Sequence, residues 1–213
     1  MQALDHRRYL ALRNGAKVLE ADGSGDKVLR LQDGSMLKLF RRKRLLTSAA
    51  WYPYARRFAD NCRHLAARGI PCPQVNAVYR IGEIERDAVH YAPLPGVTLR
   101  QLIEAGTAHA PLRAQLGEFI AQLHENGVYF RSAHLGNVVL TPTGELGLID
   151  IADLRLYRRP LKRSLRERNF KHMLRYPQDR AWLCADSEAF VTGYMAGQHV
   201  CPAAAVNEAL AAA

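Results

Sequence analysis

The sequence predicts an α+β chain: a small antiparallel sheet with one helix, then a mainly helical half. Three observations carry this expectation. Short β-type runs joined by Gly-containing turns crowd the part before residue 93. Helical periodicity dominates from Leu99 onward. A further hairpin, with apolar runs at 138–140 and 146–149, is set among those helices.

The early elements follow from local chemistry. Residues 17–20 and 27–32 read as strands around the turn Asp22-Gly23-Ser24-Gly25-Asp26. Glycine has no Cβ to hinder backbone contact with phosphate, so Gly23 and Gly25 can cover a nucleotide. A plain hairpin tip is the simpler reading, since Asp22 and Asp26 would repel phosphate. Asp33-Gly34 is a strong hairpin signal and leads into a strand at 35–40, which Lys38 interrupts. After Arg41-Arg42-Lys43-Arg44 comes an amphipathic helix from about Ser48 to Arg68. Trp51, Ala55, Phe58, Cys62 and Leu65 recur on one face, and Gly69 followed by Pro71 stops it. Residues 75–80 and 88–91 complete the sheet.

In the second half, Leu94-Pro95-Gly96 is a turn after which Leu99 opens a helix. A helix over 111–126 has Pro111 in its first turn, Leu112, Leu116, Phe119 and Leu123 on one face, and Gly127 at its end. The turn Thr141-Pro142-Thr143-Gly144 joins the two hairpin strands. Ser164-Leu165-Arg166-Glu167 matches a capping box, which predicts a helix from Ser164 to Tyr176, ahead of Pro177. Helices over 186–196 and 203–213 close the chain. No internal repeat or long linker is present.

At 213 residues, with 48% hydrophobic and 23% charged residues, the chain has the makings of an ordinary globular core. A net charge of +10 is not ordinary and predicts affinity for polyanions. Between 155 and 175 nine Lys or Arg face a single acid, Glu167. That imbalance favours an anionic acceptor or a phosphate-rich membrane face over a merely solvated helix. Few aromatics are interleaved, which counts against nucleic acid. Cys62, Cys72, Cys184 and Cys201 lack metal-type spacing, so a reducing compartment is expected and a zinc site is not. The N-terminus has early charges and no apolar core, unlike a signal peptide. The longest uncharged stretch, 189–206, is broken by Gly193, Gly197 and Pro202 and falls short of a membrane span. A cytoplasmic protein, free or peripheral at the inner membrane, is the expectation.

The hairpin carries the chemistry. It brings together Asn137, just before its first strand, and Asp150, thirteen residues on and just after its second. A carboxylate and an amide carbonyl converging at a strand mouth are hard oxygen ligands suited to Mg²⁺. Asn137 and Asp150 across a hairpin resemble the metal-binding half of the protein-kinase-like catalytic core. Lys38, Gly69-Ile70-Pro71, Leu94-Pro95-Gly96, His134-Leu135-Gly136-Asn137 and Ile149-Asp150, in that order, are similar to the lipopolysaccharide core kinases of Gram-negative bacteria. That is the Kdo/heptose kinase family, and the short toluene-tolerance members are the most alike. The resemblance spans about residues 15 to 185.

It implies a bilobal protein-kinase-like fold, with an N-lobe over 1–93 and a C-lobe over 94–213 whose catalytic-loop hairpin is 128–150. It implies ATP and Mg²⁺, Lys38 on the α and β phosphates, and adenine bonded to backbone between Tyr91 and Leu94. The acceptor it implies is a core sugar at the inner membrane face. Two positions depart from the family. Ser132 stands where the catalytic Asp belongs, five residues before Asn137, and Phe130 where many members have His. No Glu lies between Arg41 and Gly82 to pair with Lys38, leaving Asp60 or Asn61. His134 and Asp153 are the candidates to replace the base, His134 being also explicable as a hydrogen-bonded loop residue. Two functions stand: an ATP-dependent phosphotransferase altered in its base, and a pseudokinase that recruits partners through its basic face.

Overall fold

A computed structural model describes residues 1–23, 25–42, 52–108, 111–198 and 200–211. The chain divides into two compact units, Met1–Leu94 and Pro95–Ala213. The α+β expectation holds: a sheet fills the first unit and helices dominate the second. Among the described residues no helix is long and apolar enough to cross a membrane.

The first unit contains β1 (Gln2–Ala3), α1 (His6–Arg13), β2 (Lys17–Asp22), β3 (Gly25–Arg30), β4 (Met36–Arg41), α2 (Tyr54–Ala66), β5 (Gln74–Ile81) and β6 (Arg86–Ala92). The strands form one sheet in the order β1-β5-β6-β4-β3-β2. All neighbours are antiparallel except β1 and β5. Side chains alternate across a strand, and here the alternation separates two faces. Leu37 and Leu39 join Leu4, Tyr9, Leu29, Leu31, Ile81 and Ala88 in a core that includes α1. On β4 the intervening positions are Lys38 and Phe40, and Phe40 stacks on Tyr54 of α2. Lys38 therefore belongs to the α2 side of the sheet. Helix α1 was not expected; Asp5 caps it by accepting from the Arg8 amide at 2.8 Å.

The expected start of the long helix, with Ser48 and Trp51, lies outside the described residues, as do Lys43 and Arg44. From Tyr54 onward the periodicity is realised: Ala55, Phe58, Asn61, Cys62 and Leu65 form the buried stripe. Phe58 packs on Tyr91 of β6 with ring centroids 5.1 Å apart.

The second unit contains β7 (Val97–Thr98), α3 (Leu99–Glu104), α4 (Pro111–Glu125), β8 (Val128–Tyr129), β9 (Val138–Leu140), β10 (Leu146–Leu148), β11 (Arg155–Leu156), α5 (Arg163–Met173), α6 (Pro177–Cys184), α7 (Ser187–Ala196) and α8 (Ala203–Ala211). Thr98 and Gln101 form a capping box that opens α3. Helices α4 and α7 meet at two glycines: a Cβ on Gly193 would strike the Ala114 backbone, and one on Gly117 the Phe190 backbone.

The predicted box at Ser164 is a correction. Helix α5 starts at Arg163, capped by Lys162 without a side-chain bond, and ends at Met173 rather than Tyr176. The entering chain is already fixed by Leu161, whose amide donates to the His124 carbonyl and whose carbonyl accepts from Arg166 Nε. Ser164 thus falls inside the helix, and Glu167 is taken by Arg163 at 2.7 Å. Pro177 begins a new helix, α6, as its N1 residue. The basic segment is also less uniform than its composition implies. Arg166 is wholly buried, bonded to Leu161 O, Tyr194 Oη, Gln198 and Glu125, and serves the core.

Candidate active site

The loop from Phe130 to Asn137 is held at almost every residue. Asn169 of α5 donates to the Phe130 carbonyl at 2.6 Å. Ser132 donates its hydroxyl to Asp153 Oδ2 at 2.9 Å and accepts, at its carbonyl, from Asn137 Nδ2 at 3.0 Å. The Leu135 amide donates to Asp179 Oδ2 at 3.0 Å. Asp179 is completely buried and is gripped through both oxygens by Arg100, at 3.1 and 2.7 Å. The Arg100 guanidinium lies 4.4 Å from the Tyr176 ring centroid, and His134 meets that ring edge-on at 5.0 Å. Gly136 fits because a Cβ there would press on His134 and Arg100.

The hairpin then does what its sequence predicts. Val138, Val139 and Leu140 pair with Leu148, Gly147 and Leu146. One further bond, from the Ile149 amide to the Asn137 carbonyl at 3.0 Å, carries the ladder past the strand ends. Asn137 and the Ile149-Asp150 step are therefore neighbours. Asp150 is exposed and left-handed, with φ 52° and ψ 46°. That region is uncommon for a residue with a Cβ, although Asp tolerates it better than most, and such strain concentrates at functional positions.

The amide of Asn137 is oriented by its own bonds. Nδ2 faces the Ser132 carbonyl and His134 Nε2, at 3.0 and 3.2 Å, which turns Oδ1 to the other side. An amide oxygen and an exposed carboxylate on neighbouring residues are the kind of hard donors a divalent cation takes. Among the described residues no group of three or more His, Cys, Asp or Glu is placed to hold an ion. An ion bound by Asn137 and Asp150 would keep waters or phosphates as its other ligands, as Mg²⁺ does.

His134 is poorly placed to act as a base. Its Nε2 accepts from Asn137, and its Nδ1 faces Arg100 at 3.5 Å. Burial first, and then the Arg100 charge, hold its pKa below the usual imidazole value. Asp153 is different: Oδ2 accepts from Ser132, while Oδ1 is buried and has no hydrogen-bond partner among the described residues. Nearby, burial lowers the pKa of His172, and the charges of Arg168, Arg131 and Arg175 lower it further. Those three arginines are exposed, and the charge of each reaches His172.

In the first unit, Gly23 and Gly25 sit at the tip of the β2–β3 hairpin, with Ser24 outside the described residues. A Cβ on either glycine would meet nothing within 4 Å among the described residues. The flanking acids are neutralised by the protein itself: Asp26 pairs with Arg13 at 2.6 Å and Asp22 with Lys27 at 3.5 Å. Lys38 is half-buried, its ammonium 5.8 Å from the Phe40 ring centroid. Asp60 is committed to Tyr52 and Arg63, at 2.8 and 2.5 Å. Asn61 is the one of the two on the sheet-facing side of α2. Tyr91 packs on Phe58, and Leu94 is half-buried at the end of the unit.

Sequence reasoning missed Arg100, Asn169 and Asp179, which shape the loop. Asp179 lies 44 residues from the amide it receives and 79 from Arg100, so nothing local announces it.

The model of the phosphotransferase enzyme family, APH, matches residues 15–127, just over half of the chain. The 3-deoxy-D-manno-octulosonic acid kinase of Xylella fastidiosa (strain M12) is 32% identical over 115 residues. That alignment covers 53% of this chain and 45% of the relative, so the chain spans less than half of that kinase's length. The family match over more than half of the chain and the sheet-then-helix order agree: the chain belongs to the phosphotransferase enzyme family, whose fold is protein-kinase-like.

Proposed function

We propose that the protein transfers a phosphoryl group from ATP to a sugar hydroxyl of the lipopolysaccharide core. The observation that supports this reading is the backbone bond from the Ile149 amide to the Asn137 carbonyl, which makes Asn137 and Asp150 neighbours in the chain fold at one hairpin mouth. A Mg²⁺ ion held by that pair would supply charge neutralisation at the transferring phosphoryl group. Asn137 is kept in register by the Ser132 carbonyl and His134; Asp150 is presented by its left-handed backbone. In the first unit Lys38 is the residue proposed for the α and β phosphates, Gly23 and Gly25 for covering them, and the backbone from Tyr91 to Leu94 for adenine. Similarity to a 3-deoxy-D-manno-octulosonic acid kinase supports a sugar acid as acceptor. Exposed Arg131, Arg168 and Arg175 supply complementary charge for such an acceptor, or for the anionic membrane surface that carries it.

Ser132 favours a second reading, a pseudokinase that binds nucleotide or partners without transfer. A hydroxyl is far too weak a base to take a proton near neutral pH. Transfer does not depend wholly on one: the transition state is loose, and positioning and charge neutralisation dominate. The two readings separate on phosphate incorporation into core oligosaccharide from labelled ATP with Mg²⁺. The native protein should incorporate phosphate, and Asp150→Ala should lower the rate by roughly 10²–10³-fold. Equal, background-level signals from both would leave the pseudokinase standing.

A further inference from the structure

We propose that Asp153, acting through Ser132, accepts the acceptor's proton in place of the carboxylate this loop lacks. The inference rests on the phosphotransferase reading above. Ser132 occupies the base position of the loop, and its hydroxyl proton is directed at Asp153 Oδ2, 2.9 Å away. Its lone pairs are thereby left for an incoming donor. The short turn Ile151–Asp153, closed by the Leu154 amide on the Ile151 carbonyl, returns Asp153 to the loop three residues after Asp150. Among the described residues the second carboxylate oxygen is buried and has no hydrogen-bond partner. Leaving a buried acceptor unsatisfied is costly, and native proteins rarely do so without a functional reason. The competing bases are engaged elsewhere: His134 Nε2 by Asn137, and His172 Nε2 by the Tyr129 hydroxyl at 3.2 Å.

The acceptor oxygen bonds to the γ-phosphorus of the nucleoside triphosphate as its O–H bond breaks. The bond from phosphorus to the bridging oxygen breaks, and its electron pair leaves with the nucleoside diphosphate. The acceptor's proton passes to Ser132 Oγ while the serine proton passes to Asp153 Oδ2. Loss of that proton to water restores the pair. Asp153 is thus a positioning residue for Ser132 and the final holder of the proton.

Asp153→Asn tests this, because the asparagine oxygen still accepts the Ser132 hydrogen bond and only basicity is lost. With Mg-ATP and core oligosaccharide as probes, kcat should fall about 10²–10⁴-fold, the usual worth of general-base help, while KM for ATP stays unchanged. The melting temperature should change little, since the amide nitrogen takes the place of the unpaired oxygen and one buried polar atom lacks a partner in both forms. Adding Ser132→Asp to that variant, which puts a carboxylate at the base position, should restore turnover. A near-native kcat in Asp153→Asn overturns the relay, as does a lost kcat that comes with a lower melting temperature and no rescue. Absence of Mg-ATP binding by the native protein would overturn the phosphotransferase reading and the relay with it. Transfer that is indifferent to Asp153 would overturn the relay alone.

Discussion

Asp179 has no exposed surface, yet it receives the Leu135 amide and a two-pronged Arg100. Removing one partner from such a pair strands the other in a poorly hydrated site. Asp179→Ala should therefore lower stability by roughly 3 kcal/mol in urea unfolding, because Arg100 and an amide are left together. Nucleotide turnover should fall as well, since Leu135 and His134 lose the anchor that sets Asn137. A second residue makes a pH prediction. His124 is fully buried between Tyr194 Oη and Asn169 Oδ1, at 2.8 and 3.0 Å. Burial pushes its pKa from 6.5 down to about 3. In that interval the unfolded chain binds a proton that the folded chain refuses, so stability falls as pH falls. The loss is about 1.4 kcal/mol per pH unit from this group. His134 and His172 are also lowered and act in the same direction. Comparing His124→Gln with the native protein isolates the His124 share: between about pH 6 and pH 4 the variant's stability should decline less steeply, whatever its absolute value.

At the scale of elements, what could be read from sequence was local. The hairpins at Asp33-Gly34 and Thr141–Gly144 announce themselves through turn residues a few positions from the strands they join. Helix α4 shows its face at every turn. Boundaries set by distant contacts were not readable. The box pattern occurs both at Thr98–Gln101 and at Ser164–Glu167, and only the first is used. What decides between them is the Leu161–His124 bond, 37 residues apart in sequence, which fixes the start of α5 before Ser164 is reached. The α4–α7 crossing was equally silent, because a glycine inside a helix gives no sign of which backbone approaches it. Gly193→Ala should cost roughly 3 kcal/mol, at the upper end of overpacking penalties, since the obstacle is Ala114 backbone rather than a movable side chain. Thermal unfolding of that variant checks it.

For the whole molecule, a net charge of +10 sets the long-range field, but the fold decides how much of it a ligand meets. Of the basic segment, Arg166 is internal and Arg163 is paired, whereas Arg168 and Arg175 remain exposed. Binding of anionic core oligosaccharide should therefore weaken as salt is raised. Arg168→Ala should reduce affinity about tenfold at low salt and flatten the salt dependence, as titration calorimetry would report. Of the proposed site, the sequence made legible the hairpin that makes neighbours of Asn137 and Asp150, with Ser132 five residues ahead of Asn137. Asp153 was visible only as an acid of unknown orientation, and the bond from Ser132 gave it a place. The most direct test is Mg²⁺-dependent ATP binding by the native protein and by Asp150→Asn, read by calorimetry. The native protein should bind ATP at millimolar concentration more tightly with Mg²⁺ than without, and the variant should lose that difference. No nucleotide binding, or a Mg²⁺ effect that survives in the variant, would contradict the assignment of Asn137 and Asp150 as the metal pair.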